Sequence, residues 1–304
     1  HRYDDYDLDG NLLSEQLIGD LGRVYHKTDL KGQATEIASS YFSETCSYDC
    51  VGNLIEHELD QTKRHYIYDG LSSLISESNP DKTYAYDSLY NRIGCDTVND
   101  ANQLSSQSYD SNGNQITKQT ITDEFHLSYD IFGRLIEAIS STKKIVFSYD
   151  PLGRRISKIV SVMTTSGWLE KDNEIYLYNG DQEIGALVSG KLRSFRVLGK
   201  DRTIAVELDG KIYAPIFDVQ RNVRKLIDLD TQLIAESYRF TAFGEDLNKG
   251  TFSNPWRFDS KRIDPELGLI YFGKRYYDPE VARWMTPDPL GFIDSTNLYQ
   301  YVFN

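Results

Sequence analysis

The chain has 304 residues, with 33 Lys plus Arg against 46 Asp plus Glu, a formal net charge of −13. That balance excludes a protein that grips nucleic-acid phosphates by bulk charge. No apolar run reaches the roughly 18 residues of a membrane helix. The hydrophobic share is 39%, yet Tyr occurs 22 times and Met only twice, a bias toward half-buried sheet faces.

The sequence opens at His1 directly in patterned residues, HRYDDYDLDGNLL, with no Met and no signal-peptide pattern, as expected of a piece of something longer. Tyr-Asp then recurs at Tyr6-Asp7, Tyr48-Asp49, Tyr68-Asp69, Tyr86-Asp87, Tyr109-Asp110, Tyr129-Asp130 and Tyr149-Asp150. Tyr25-His26 fills the gap after the first, and successive tyrosines are 18 to 23 residues apart. Several copies continue as YDLDGNLL, YDCVGNLI, YDSNGNQI, YDIFGRLI and YDPLGRRI. Each unit is legible in physical terms. The Tyr ends an alternating segment, as in Ile145-Val146-Phe147-Ser148-Tyr149. Asp opens a turn because its carboxylate accepts a hydrogen bond from the backbone two residues on. Gly takes a positive φ, and Leu or Ile starts the returning strand. Strand, tight turn, strand is a β-hairpin, and hairpins in series must bury their apolar faces on one another. Residues 1–160 are therefore predicted to form a continuous antiparallel array.

Two apparent sites within the repeats have simpler explanations. Asp5-Tyr6-Asp7-Leu8-Asp9-Gly10 matches the start of an EF-hand loop, but Gln16 stands where the bidentate Glu is needed, and helical flanks are absent. Cys46, Cys50 and Cys95 are an odd number, and no second C-x-x-C or His pair completes a zinc site. On one strand Cys46 and Cys50 would lie about 13 Å apart, beyond disulfide reach. The histidines, His1, His26, His57, His65 and His126, are scattered and meet no G-x-S-x-G turn or phosphate-binding loop. No metal and no cofactor are expected.

Residues 161–250 diverge from the repeat but keep strand alternation over Trp168 to Tyr178 and Leu192 to Leu208, with hairpin turns at Asn179-Gly180, Ser189-Gly190 and Asp209-Gly210. Val219, Val223, Leu226, Ile227 and Ile234 fit helical spacing, while Val223, Lys225 and Ile227 also alternate. These spacings leave helix and strand pair both open. Residues 251–304 carry RFD at 257–259, ELGLIYF at 266–272, RYYDP at 275–279, RWMTPDPLG at 283–291 and NLYQYVFN at 297–304.

The Tyr-Asp hairpins and this C-terminal series resemble, essentially over the whole chain, the YD or Rhs repeats and Rhs-associated core of bacterial Rhs toxins, Tc-toxin C subunits and animal teneurins. Ala282 departs from the pattern, which has Gly before Arg-Trp. The resemblance implies an all-β fold: tandem hairpins in a long antiparallel sheet wound into a hollow shell, with a C-terminal plug. It implies three regions, namely YD repeats at 1–160, divergent hairpins at 161–250 and the core at 251–304, and within the second it favours a strand pair turning near Asp228-Leu229-Asp230 over a helix. It also implies a shell that encloses a C-terminal toxin or other cargo, alongside other shell or delivery subunits, in a secreted or cell-surface protein. A closed container needs more repeats than the eight present here. The alternative within the resemblance is a teneurin-like adhesion or carbohydrate-binding module.

In toxins of that family the core carries an aspartic self-cleavage activity that frees the C-terminal part. Asp278 and Asp288 occupy matching motif positions and are the expected catalytic residues of the full-length chain, with Asp259, Asp264 and Asp294 nearby in sequence. Such chemistry needs one carboxylate as base for water and one as acid. Each of the pair also precedes a Pro, which makes both turn formers. Arg275 or Arg283 could pair with one carboxylate and keep it ionised. A short segment with the pattern N-P-x-x-x-x-D-P-x-G-L, at whose end the cut falls, does not follow within these residues, so the chain as it stands is not expected to process itself.

Overall fold

A computed structural model describes residues 2–94, 96–199, 202–248, 253–293 and 295–302. Among them the regular structure is strand throughout, apart from one 3₁₀ turn at Phe258–Ser260. The chain forms two compact units, residues 1–84 with 196–260 and residues 85–195 with 261–304.

The first unit holds a nine-stranded sheet whose strands follow in chain order from Arg2–Tyr6 to Lys82–Thr83. Later antiparallel strands Thr203–Leu208, Lys211–Phe217, Val223–Asp228 and Ile234–Ser237 belong to the same unit. The stretch with helical spacing is therefore sheet, turning at 228–233 as the resemblance implies: Asp228 Oδ1 accepts the Asp230 and Thr231 amides. Its helical spacing arises because Val223, Leu226 and Ile227 are all buried in a sheet covered on both faces. Leu17, Leu21, Val24, Ile37, Phe42 and Leu59 pack with Ala214, Ile216 and Ile227 to form this unit's core.

The second unit holds antiparallel hairpin strands from Thr117–Gln119 through Gln182–Val188, and a four-stranded sheet of Arg262–Asp264, Leu269–Tyr271, Tyr276–Asp278 and Arg283–Trp284. Phe125, Leu127, Ile145 and Phe147 of its repeats pack against Leu267, Leu269, Tyr276 and Met285 of the core region.

The repeat turn is the local device that sets this architecture. In the unit at Tyr48, Asp49 Oδ1 accepts the amides of Val51 (3.0 Å), Gly52 (2.8 Å) and Asn53 (2.8 Å), while Asn53 Nδ2 donates to Asp49 Oδ2 at 2.8 Å. Gly52 has φ +102°, which only glycine adopts without strain. The same Asp-to-fifth-residue clasp recurs at Asp7–Asn11, Asp110–Asn114, Asp130–Arg134 and Asp150–Arg154. The predicted continuous array over residues 1–160 is interrupted: between the strands Lys82–Thr83 and Thr117–Gln119 the described residues form a separate pair, Ala85–Tyr86 with Arg92–Ile93, and isolated bridges, because the Tyr109 hydroxyl there accepts the Leu104 amide instead of tying back to an earlier hairpin. In four repeats the Tyr hydroxyl does tie the hairpin to the one before. Tyr48 donates to the Ala34 carbonyl, Tyr68 to Leu54, Tyr129 to Gln115 and Tyr149 to Leu135, each 14 residues back and at 2.8–3.0 Å. A register shift falls beside the repeat Tyr, as between Ser47 and Tyr48 or Ser148 and Tyr149, and such bulges raise the local twist of the sheet.

Candidate functional site

The core motif builds its corner from a short hairpin. Tyr277 pairs with Trp284 and Asp278 with Arg283, and the turn between them passes through Ala282 at φ +57°. The position where the resembled pattern has Gly is thus left-handed here, and Ala occupies it.

Asp278 lies at the end of its strand with a side chain 3% exposed. Its Oδ2 accepts from Lys118 Nζ at 2.7 Å and its Oδ1 from the Glu280 amide at 3.1 Å. Burial pushes its carboxyl above the usual range, and Lys118 offsets only part of that. Burial alone would push Lys118 down, but Asp278 and Glu280 outweigh it and hold the ammonium above its ordinary value. Lys118 is thus the cation that faces this sealed carboxyl group.

Asp288 sits in a turn: its amide donates to the Leu298 carbonyl, its carbonyl accepts from Gly291, and its Oδ1 accepts from Leu290. Its Oδ2 meets Arg275 Nη2 at 2.7 Å, and its side chain is 29% exposed. The Arg275 guanidinium also lies 4.2 Å from the Trp284 ring centre, so an aromatic face and a carboxylate hold it together. Burial lowers the pKa of Arg275, opposed by Asp288. Each aspartate thus has its own cation. Arg283 goes elsewhere, donating to Asn91 Oδ1 at 2.8 Å and to the Asn102 carbonyl.

The other acidic candidates have separate settings. Asp264 is buried against Arg155 and Lys158; burial would raise its pKa, but these cations outweigh it and hold it low. The Asp259 amide donates to Asn222 Oδ1 in the first unit. Asp294, like Cys95 and His1, lies outside the described residues. The EF-hand-like stretch is a repeat turn, in which Asp7 is clasped by Asn11. Cys50 is exposed in a turn while Cys46 is buried on the strand Ser43–Tyr48.

One cluster was not anticipated from the sequence. Glu44, Cys46 and His57 are all buried, and one ligand atom from each lies within 4.8 Å of the others. The signal was available. Glu44 and Cys46 alternate onto one face, and the turn at Asp49 sets the register that places His57 opposite Cys46.

With fold and site described, the chain can be placed. A family model described as Teneurin YD-shell matches residues 13–304, and the chain belongs to that family. It matches the crystal structure of the TcdB2–TccC3–Cdc42 assembly with a TM-score of 0.80 at 18% identity, covering 99% of this chain and 18% of that one. Toxin subunit YenC2 of Yersinia entomophaga is 46% identical over 48 residues, 16% of this chain and 5% of that protein. The tRNA3(Ser)-specific nuclease WapA of Bacillus spizizenii is 26% identical over 263 residues, 77% of this chain and 11% of that protein. The chain therefore spans under a fifth of each of these proteins. Among the described residues no helix is long and apolar enough to cross a membrane.

Proposed function

We propose that this segment is wall and plug of a YD shell that encloses a C-terminal toxin or other cargo, in a secreted or cell-surface protein that works with further shell or delivery subunits. The observation that carries this reading is the repeat geometry: within the nine-stranded sheet the hairpins follow in chain order, each offering the next the same edge, so such a strip extends by addition. Its relatives support it. YenC2 is named a toxin subunit and WapA a tRNA-specific nuclease, yet each shares a stretch of this segment, which suits a part that serves something other than either named activity.

The self-cleaving role belongs to this proposal. Asp288, partly exposed and paired with Arg275, is suited to take a proton from water as the water oxygen attacks the scissile carbonyl carbon. A second carboxyl must protonate the leaving amine as the C–N bond breaks, and Asp278 is the candidate the motif offers. Its raised pKa suits an acid, while its pairing with Lys118 suits an anchor. The test is to express the chain with its native continuation and follow cleavage by gel mobility and intact mass. The expected result is a cut a few tens of residues beyond 304 in the wild type, none in Asp288→Asn, and protection of the released part from added protease until the shell is unfolded. Loss of the cut in a folded Asp278→Asn makes Asp278 the acid, and a wild-type rate there makes it the anchor alone. A wild-type rate in Asp288→Asn overturns the catalytic assignment, and a protease-exposed C-terminal part overturns the enclosing shell.

A further inference from the structure

We propose that Glu44, Cys46 and His57 form a binding site for a thiophilic divalent cation, Zn²⁺ being the best match. All three ligands come from one hairpin of the first unit. Glu44 and Cys46 are two residues apart on the strand Ser43–Tyr48 and share its inner face. His57, on the strand Leu54–Leu59, is the direct cross-strand partner of Cys46. Their side chains form a carboxylate, thiol and imidazole set of the kind zinc takes.

The distances fit with small adjustment. His57 Nε2 lies 2.5 Å from Glu44 Oε1, and Cys46 Sγ lies 3.9 Å from the same oxygen. Ligand bonds of about 2.0–2.3 Å at tetrahedral angles place donor atoms roughly 3.3–3.6 Å apart. His57 must therefore retreat from Glu44 by under about 1 Å, and Cys46 must close by a few tenths. A small ligand such as water takes the fourth position.

The surroundings are those of a built site. The Glu44 and His57 side chains are 0% and 2% exposed, and His57 Nδ1 is buried with no hydrogen-bond partner. Both Glu44 oxygens also accept the Val219 amide, at 3.1 and 3.0 Å, which fixes the carboxylate's orientation as outer contacts do at metal centres. Charge closes as well. A thiolate and a carboxylate cancel a divalent ion, the neighbouring Arg224 is paired with Asp218 at 3.6 Å, and Arg64 donates to the Phe240 carbonyl. Without an ion, burial works against charge on all three groups: it raises Glu44 to about 7, lowers His57 to about 4 and raises the Cys46 thiol.

The probe is Co²⁺ titrated into the full chain, followed by Zn²⁺. A thiolate-to-cobalt charge-transfer band should appear at one equivalent and vanish on adding Zn²⁺. The band should persist in Cys50→Ser and Cys95→Ser and be absent in Cys46→Ser. Glu44→Gln and His57→Gln should weaken cobalt binding by more than the roughly 10–100-fold that loss of an outer contact costs. Zn²⁺ should also raise the thermal midpoint of wild type and Cys50→Ser, and leave folded Glu44→Gln and His57→Gln unshifted at the same concentration. No band in the wild type, or an equal band in Cys46→Ser, overturns the site. If Cys46→Ser fails to fold, the two Gln variants decide it: wild-type cobalt affinity in both refutes the proposal.

Discussion

Replacing Lys118 by Met leaves Asp278 buried without its cation, and the size of the loss follows from the geometry. The two side chains are 6% and 3% exposed and meet at 2.7 Å, so water cannot substitute for the ammonium. Breaking such a pair from one side costs about 3–5 kcal/mol, because a buried charge is stranded. Asp278 has an escape, which is to take up a proton. From an ordinary value of 3.8, protonation at pH 7 costs about 4.4 kcal/mol at 1.36 kcal/mol per unit, and at pH 5 about 1.6 kcal/mol. The destabilisation should therefore be about 3–4 kcal/mol at pH 7 and fall to at most about 2 kcal/mol at pH 5. The contact of Lys118 with Glu280, whose side chain is 66% exposed, adds under about 1 kcal/mol. Lys118→Met with Asp278→Leu removes both charges and should return to within about 2 kcal/mol of wild type, since an apolar pair of similar volume costs no desolvation. Urea unfolding followed by far-UV circular dichroism at the two pH values measures all of this. A pH-independent cost, or a loss under about 0.5 kcal/mol at pH 7, would refute the view of this pair as a sealed tie.

Two further outcomes test the turn and the buried acids. Gly10 and Gly113 both have positive φ, at +85° and +83°, but an added Cβ meets nothing within 4 Å at Gly10, whereas at Gly113 it lies 2.8 Å from the Tyr299 hydroxyl and 2.9 Å from Pro287 Cγ. Gly10→Ala should cost about 1 kcal/mol from backbone strain alone, and Gly113→Ala clearly more; equal thermal shifts would contradict the steric part. Glu77 is raised above its ordinary 4.5 by burial, with the Tyr84 hydroxyl and Ala242 amide offsetting part of it. A raised folded-state pKa gives stability that is present below about 4.5 and lost as pH rises through the folded value. Glu77→Gln should therefore gain on wild type as pH increases from 4.5 to 8; parallel midpoint curves in urea would show that Glu77 does not titrate as described.

How much of this protein is readable from the chain alone depends on how far apart the interacting residues lie. The repeat turn spans five residues, so Tyr, Asp, Gly and Asn or Arg carry the whole instruction, and hairpins, alternation and the all-β class follow. At Asp228 periodicity alone left helix and strand open, because burial on both sheet faces made the strands mimic helical spacing, and the family resemblance favoured the strand pair. The meeting of Cys46 with His57 follows from the register the Asp49 turn sets, but no C-x-x-C or H-x-x-x-H spacing marks it, because the ligands come from facing strands rather than one local run. Other features needed the folded chain. Lys118 and Asp278 are 160 residues apart, Arg155 and Asp264 109, and Glu44 and Val219 175. No periodicity encodes which lysine will face which aspartate across such distances. The motif alone presented Asp278 and Asp288 as equivalent turn aspartates. Tertiary packing made them unlike, sealing Asp278 against a lysine and leaving Asp288 half-open on an arginine, because the cost of a buried charge is set by what else is buried beside it.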